Sequence, residues 1–141
     1  MKIGFVSCTK SKTEYACTAE ELYSPSTLFT YASAYCRENY DKWFILSAKH
    51  GVLSPTDFLS PYEQTLNGAK KEIRQKWAKE VVTQIYEYTK LEDELFFHTP
   101  ANYCEFIIPL LEQKGYLIRR PLKGLPIGKQ LGWYKNWSES K

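Results

Sequence analysis

No apolar run in this 141-residue chain approaches the ~20 residues that a membrane span needs. The N-terminus MKIGFVSC passes straight into a strand-like segment, with neither a separate apolar region nor a small-residue cleavage site. Both absences lead to the expectation of a cytoplasmic protein with no membrane partner. Metal ligands are scarce too. The cysteines are Cys8, Cys17, Cys36 and Cys104, and the only histidines are His50 and His98. No two cysteines form a Cys-x-x-Cys pair, and the histidines are not at ligand spacing from them. No metal and no cofactor is therefore expected, and without an export signal reduced thiols are favoured over disulfides. Nor is there a large excess of one charge. The net charge is +3, short of the basic footprint of a dedicated duplex binder but compatible with a phosphate-bearing small molecule or a modest nucleic-acid contact. No repeat, low-complexity segment or linker divides the chain, so residues 1–141 are read as a single domain.

Aromatic residues are abundant: 16% of the chain, with 11 tyrosines and 4 tryptophans. They serve either core packing or stacking on bases and sugars. Apolar periodicity then lays out the elements. Strands are expected at Ile3–Ser7, Trp43–Ser47, Glu94–His98 and Tyr116–Arg119. Helices are expected at about 26–39, at about 69–90, from Pro100 to about Gln113 with Gly115 as its stop, and from Lys129 to about Trp137. Between Ser47 and about Asn67 the chain reads as irregular. Strands alternating with helices favour an α/β three-layer sandwich, Rossmann-like, with a mostly parallel central sheet of about four strands. In such folds ligands bind beyond the carboxyl ends of the strands. Four unusual loops converge there: CTKSK, AKHGVLSPTDFLSPY, TPANY and PLKGLPIGKQ.

Cys8 ends the first strand, and Lys10 and Lys12 follow it. A neighbouring cation favours the thiolate, so Cys8 is a candidate nucleophile; a small residue filling the strand end is the plain alternative. The two lysines can neutralise a phosphate, although the loop lacks the glycines of a Walker A motif. In SAKHG, Ser47 and Lys49 are candidate ligand contacts, His50 is a candidate acid or base, and Gly51 supplies a tight turn. His98, at the end of the third strand, can face His50 and Cys8 across the same edge. In SPYEQTL, Pro61 restrains the chain, and Tyr62 either offers a ring to a base or packs with Pro61 to hold the loop on the core. Asp57 and Glu63 are the acidic residues placed to assist a leaving group. Gly124 and Gly128 allow close backbone approach, and Lys129 with the first amides of the last helix can receive an anion.

The stretches SCTKSK, ELYSPSTLF, WFILSAKHGVLSPTDFLSPYEQTL and PLKGLPIGKQLGW together resemble a small family of uncharacterised bacterial, archaeal and phage domains. The resemblance runs through nearly the whole chain in the same order. It implies functional positions at Ser7, Cys8, Lys10, Lys12, Tyr23, Ser26, Ser47, Lys49, Gly51, Pro55, Pro61, Tyr62, Tyr103, Gly124, Gly128 and Gln130. This chain departs from the pattern at Thr99 and Pro100, where the family has Ala-Gly, and at His50, which is often aromatic in relatives. The central segment is also similar to the YaaA proteins, a family implicated in peroxide resistance and DNA binding.

These residues lead to one main expectation: a nucleotide or nucleic-acid-base pocket that hydrolyses or transfers to an N-glycosidic bond. A non-enzymatic, YaaA-like DNA-binding protein acting through Lys10, Lys12, Lys49, Lys123 and Lys129 is the alternative. A purely structural partner protein is the third reading.

Overall fold

A computed structural model of the chain describes residues 1–141. In chain order the elements are β1 (Lys2–Ser7), β2 (Cys17–Thr18), α1 (Ala19–Leu22), α2 (Thr27–Asn39), β3 (Lys42–Ser47), β4 (Gly51–Leu53) and β5 (Phe58–Leu59). They continue with α3 (Lys71–Tyr88), β6 (Glu94–His98), α4 (Ala101–Cys104), α5 (Ile107–Lys114), β7 (Leu117–Arg119) and α6 (Ile127–Glu139).

The central sheet has the order β4-β3-β1-β6-β7. β3, β1, β6 and β7 are parallel, so Ser47, Ser7, His98 and Arg119 end neighbouring strands on one edge. The expected α/β sandwich is present, with five strands rather than about four. The extra strand is β4, antiparallel to β3, with Ser47 opposite Gly51. Gly51 carries a φ of +73°, the left-handed conformation that glycine adopts without strain. The chain therefore reverses at once after β3 instead of wandering.

Alternation along the strands divides the core into two layers. Trp43 meets Phe29 of α2, whereas its neighbour Phe44 meets Tyr88 of α3. Phe96 stacks on Tyr40, just beyond α2, while Phe97 stacks on Phe5 in the other layer. α2 and α6 pack together on one face, and α3 packs with α4 and α5 on the other. No helix is long and apolar enough to cross a membrane.

Two local departures from the sequence expectations have clear causes. The helix expected from Pro100 to Gln113 is broken between α4 and α5. Pro109 has no N–H to give the Glu105 carbonyl, and its ring crowds that turn, so helix restarts at Ile107 with Pro109 in its first turn. The segment expected to be irregular holds β4 and also β5. β5 pairs antiparallel with β2 in a separate two-stranded sheet. The Ala19 and Glu20 amides donate to the carbonyls of Asp57 and Pro55 at 2.7 and 2.9 Å. The loop after β1 and the loop after β4 thus hold each other in place above the sheet edge.

Candidate functional site at the carboxyl edge

Ser47 is the hub. It is wholly buried, and its Oγ accepts from the amides of Lys49 and His50 at 3.2 and 3.0 Å. Both lone pairs are then used, so its proton is free for the Tyr62 hydroxyl, 2.6 Å away. Tyr62 in turn lies 2.5 Å from the Tyr23 hydroxyl. The backbone carbonyl of Ser47 accepts from Trp77 Nε1 at 3.0 Å. A second, shorter relay lies beside it: Cys8 Sγ is 3.3 Å from the Tyr103 hydroxyl, which also accepts from the Leu66 amide.

Cations surround this network. Lys12 Nζ lies 4.7 Å from the centre of the Tyr62 ring, and Lys49 Nζ lies 5.8 Å from it. Lys12 is also 5.9 Å from the Tyr23 ring. The His50 ring meets Tyr62 edge-on at 5.3 Å. Burial pushes the phenols of Tyr23 and Tyr62 well above their ordinary range, with the nearby Cys8 acting in the same direction. Tyr103 rises to about 12, again chiefly from burial and then from Cys8. All three phenols therefore remain neutral. Burial lowers the Lys12 ammonium, against the opposing pull of Cys8 and Glu63. Burial also lowers His50, helped by the charge of Lys49.

A cavity of about 270 Å³ opens next to the cluster, between the β3–β4 turn and α3. Lys49, His50, Gln64, Trp77, Glu80 and Gln84 supply most of its chemistry. Gln84 is partly committed, since its Oε1 accepts from the Val52 amide at 2.9 Å. No three His, Cys, Asp or Glu side chains gather in a way that could hold a metal ion.

The structure sorts the sequence candidates into three groups. Cys8, Lys12, Tyr23, Ser47, Lys49, His50, Tyr62 and Tyr103 come together at the ends of β1 and β3. Gly51 makes the turn beneath them, and Ser7 ends β1 alongside; Lys10 and Glu63 are exposed nearby. Gly124, Gly128, Lys129 and Gln130 lie apart, where β7 leads into α6. Gln130 already donates to the Leu125 carbonyl at 2.7 Å. Asp57 and Ser26 have local duties. Asp57 accepts from the Ser54 amide at 2.9 Å in its own turn, and Ser26 caps α2 by accepting from the Phe29 amide at 3.2 Å.

Two expectations change. Tyr62 is only 9% exposed, and its ring is lined by lysines and by His50. It offers a buried hydroxyl rather than an open stacking face. His98 does not turn toward Cys8 and His50. Its two ring nitrogens lie 2.6 Å from the Tyr40 hydroxyl and 2.7 Å from the Tyr134 hydroxyl, in the layer between α2 and α6. His98 therefore does not join Cys8 and His50, although its place at the strand end allowed it. Trp77, Glu80 and Gln84 escaped the sequence reading. Glu80 and Gln84 sit three and seven residues after Trp77 on one helix, a spacing that marks a shared face, but the apolar period of α3 gives no sign that this face lines a cavity.

Residues 3–136 match a family of unknown function, DUF6884. The chain belongs to the DUF6884 family. The match begins in β1 and ends within α6, so it takes in both the Ser47–Tyr62 cluster and the β7–α6 loop. No curated protein and no solved structure matches the chain.

Proposed function

We propose that this DUF6884 domain binds a phosphate-bearing nucleotide at the ends of β1 and β3. One observation carries the reading. The ammonium groups of Lys12 and Lys49 both approach one buried tyrosine ring, and neither makes an ion pair. Two unpaired cations around one ring give the strand ends a local positive field that favours an anion. The neighbouring cavity suits the remainder of such a ligand. Its apolar floor of Trp77, Leu66 and Val81 fits a flat ring, and Gln64 and Glu80 offer hydrogen-bonding groups at its rim. Chemistry on an N-glycosidic bond would use the Cys8 thiol as nucleophile and Glu63 as the acid, because Asp57 is occupied by its turn.

Calorimetric titration with a nucleoside and its 5′-monophosphate tests the proposal. Lys12→Ala and Lys49→Ala should each weaken the monophosphate about tenfold, roughly the loss of one charge-assisted contact. The nucleoside should be little affected. Equal loss of both ligands would refute an anion site. Binding that prefers oligonucleotides and falls steeply with salt would favour the DNA-binding reading, in which the same lysines contact a phosphate backbone.

A further inference from the structure

The other half of the carboxyl edge holds a second cavity, of about 280 Å³, between the ends of β6 and β7 and the start of α6. Its lining includes two cations, Arg120 and Lys123, and no aspartate or glutamate. The Arg120 guanidinium makes no ion pair. Its Nε is shut off from solvent and has no hydrogen-bond partner, and the same is true of Thr99 Oγ1 in the same lining. Folded proteins rarely leave such groups dry and unpaired, because desolvation without a replacement bond is costly. An arginine nitrogen can only donate, and a hydroxyl can do so as well. Both groups can donate to an acceptor, and a lining with two cations and no acid suits an anionic one.

The start of α6 adds to this. The helix has 13 residues, no side-chain cap and no acid in its first turn. Its first bonded amide is that of Gln130, which donates to Pro126. The amides of Ile127, Gly128 and Lys129 are open, and Ile127 itself lines the cavity. Open amides and the positive end of the helix dipole both favour an oxyanion.

We propose that this cavity is a phosphate-binding site in which Arg120 Nε and Thr99 Oγ1 hydrogen-bond the oxyanion while Lys123 and the first amides of α6 complete its shell. The site shares no residue with the Lys12–Lys49 cluster and does not depend on the nucleotide reading.

Titration of the isotope-labelled protein with inorganic phosphate, followed by amide NMR, tests it. Saturable shifts are expected at Gly124, Ile127 and Gly128. Arg120→Gln and the near-isosteric Thr99→Val should each weaken that response about tenfold or more, with the rest of the spectrum showing an intact fold. A parallel titration with adenosine 5′-monophosphate separates the two sites, since the Ala48–Gly51 amides report on the other one. Shifts confined to Ala48–Gly51 in both titrations would overturn this proposal and leave the nucleotide reading in place. No saturable shift at the α6 amides, or an unchanged response in both variants, would equally overturn it.

Discussion

Ser47 Oγ lies 2.6 Å from the hydroxyl of Tyr62, 15 residues further along the chain, with both groups buried. This contact fastens the long loop after β4 to the end of β3. It also gives that loop a stability signature. Tyr62→Phe removes one hydroxyl and strips a partner from both Ser47 and Tyr23. Leaving buried hydroxyls short of partners costs about 1–3 kcal/mol, so the urea midpoint should fall measurably. Tyr62→Ala also empties core volume and should cost about 3–5 kcal/mol. Unchanged stability in Tyr62→Phe would mean that the hydroxyl chain holds nothing together.

The same contact marks where the sequence stops being informative. The parallel strands were legible because Ile3–Val6, Phe44–Leu46 and Leu95–Phe97 are short apolar runs between helical patterns. Their common edge followed from topology. The reversal at Gly51 was suggested by the glycine, but β4 was not, since GVL is too short to show a period. Tyr62 stands out in the sequence, but the choice between a packed ring and a stacking ring does not follow from it. A tyrosine beside a proline looks the same in sequence whether its ring faces solvent or its hydroxyl is buried. His98 was hidden for a similar reason: its partners, Tyr40 and Tyr134, lie 58 and 36 residues away. Arg120 has no distinguishing pattern in the sequence and Thr99 stands out only as a departure from the family, because an unpaired buried atom leaves no sequence signature.

Gly51 and Gly124 make a matched pair for mutation. Both have positive φ, +73° and +82°. A left-handed non-glycine residue costs roughly 1–2 kcal/mol, so alanine should destabilise at either position. At Gly124 the new methyl group meets open space, whereas at Gly51 it would collide with Gln84 Oε1. Gln84 would have to move and release the Val52 amide. Gly51→Ala should therefore lower the thermal midpoint clearly more than Gly124→Ala. Equal shifts would mean that the Gln84 contact yields without cost.

The four cysteines are free and buried, but their surroundings differ. Burial pushes the thiols of Cys36 and Cys104 up, which suppresses their thiolates. Cys8 instead lies near the Lys12 ammonium and touches the Tyr103 hydroxyl. Alkylation of the native protein, mapped by peptide mass spectrometry, should modify Cys8 before Cys36 or Cys104. If Cys36 or Cys104 reacts as fast, Cys8 has no special reactivity and the nucleophile role falls.

The last prediction concerns acid stability and rests on His98. Burial holds its pKa down to about 4, against an ordinary value of 6.5. The folded protein thus keeps His98 neutral where the unfolded chain protonates it. Between those two values the unfolded state binds more protons, so stability rises with pH across the window and is lost as pH falls below 6.5. One proton's difference is worth ~1.4 kcal/mol per pH unit, and lowering the pH from 7 to 5 should cost ~2 kcal/mol from this group. The neutral ring can donate to one tyrosine oxygen and accept from the other, whereas the cation would have two donors and no lone pair. His98→Gln keeps a donor and an acceptor without the titration. Its absolute stability will differ from the parent's, so the informative quantity is the change between pH 7 and pH 5 in urea unfolding. That change should shrink by ~2 kcal/mol in the variant, while His50 and the carboxylates contribute alike to both proteins. An equal acid loss in parent and variant would show that His98 is protonated without disturbing the fold and that burial does not hold it neutral.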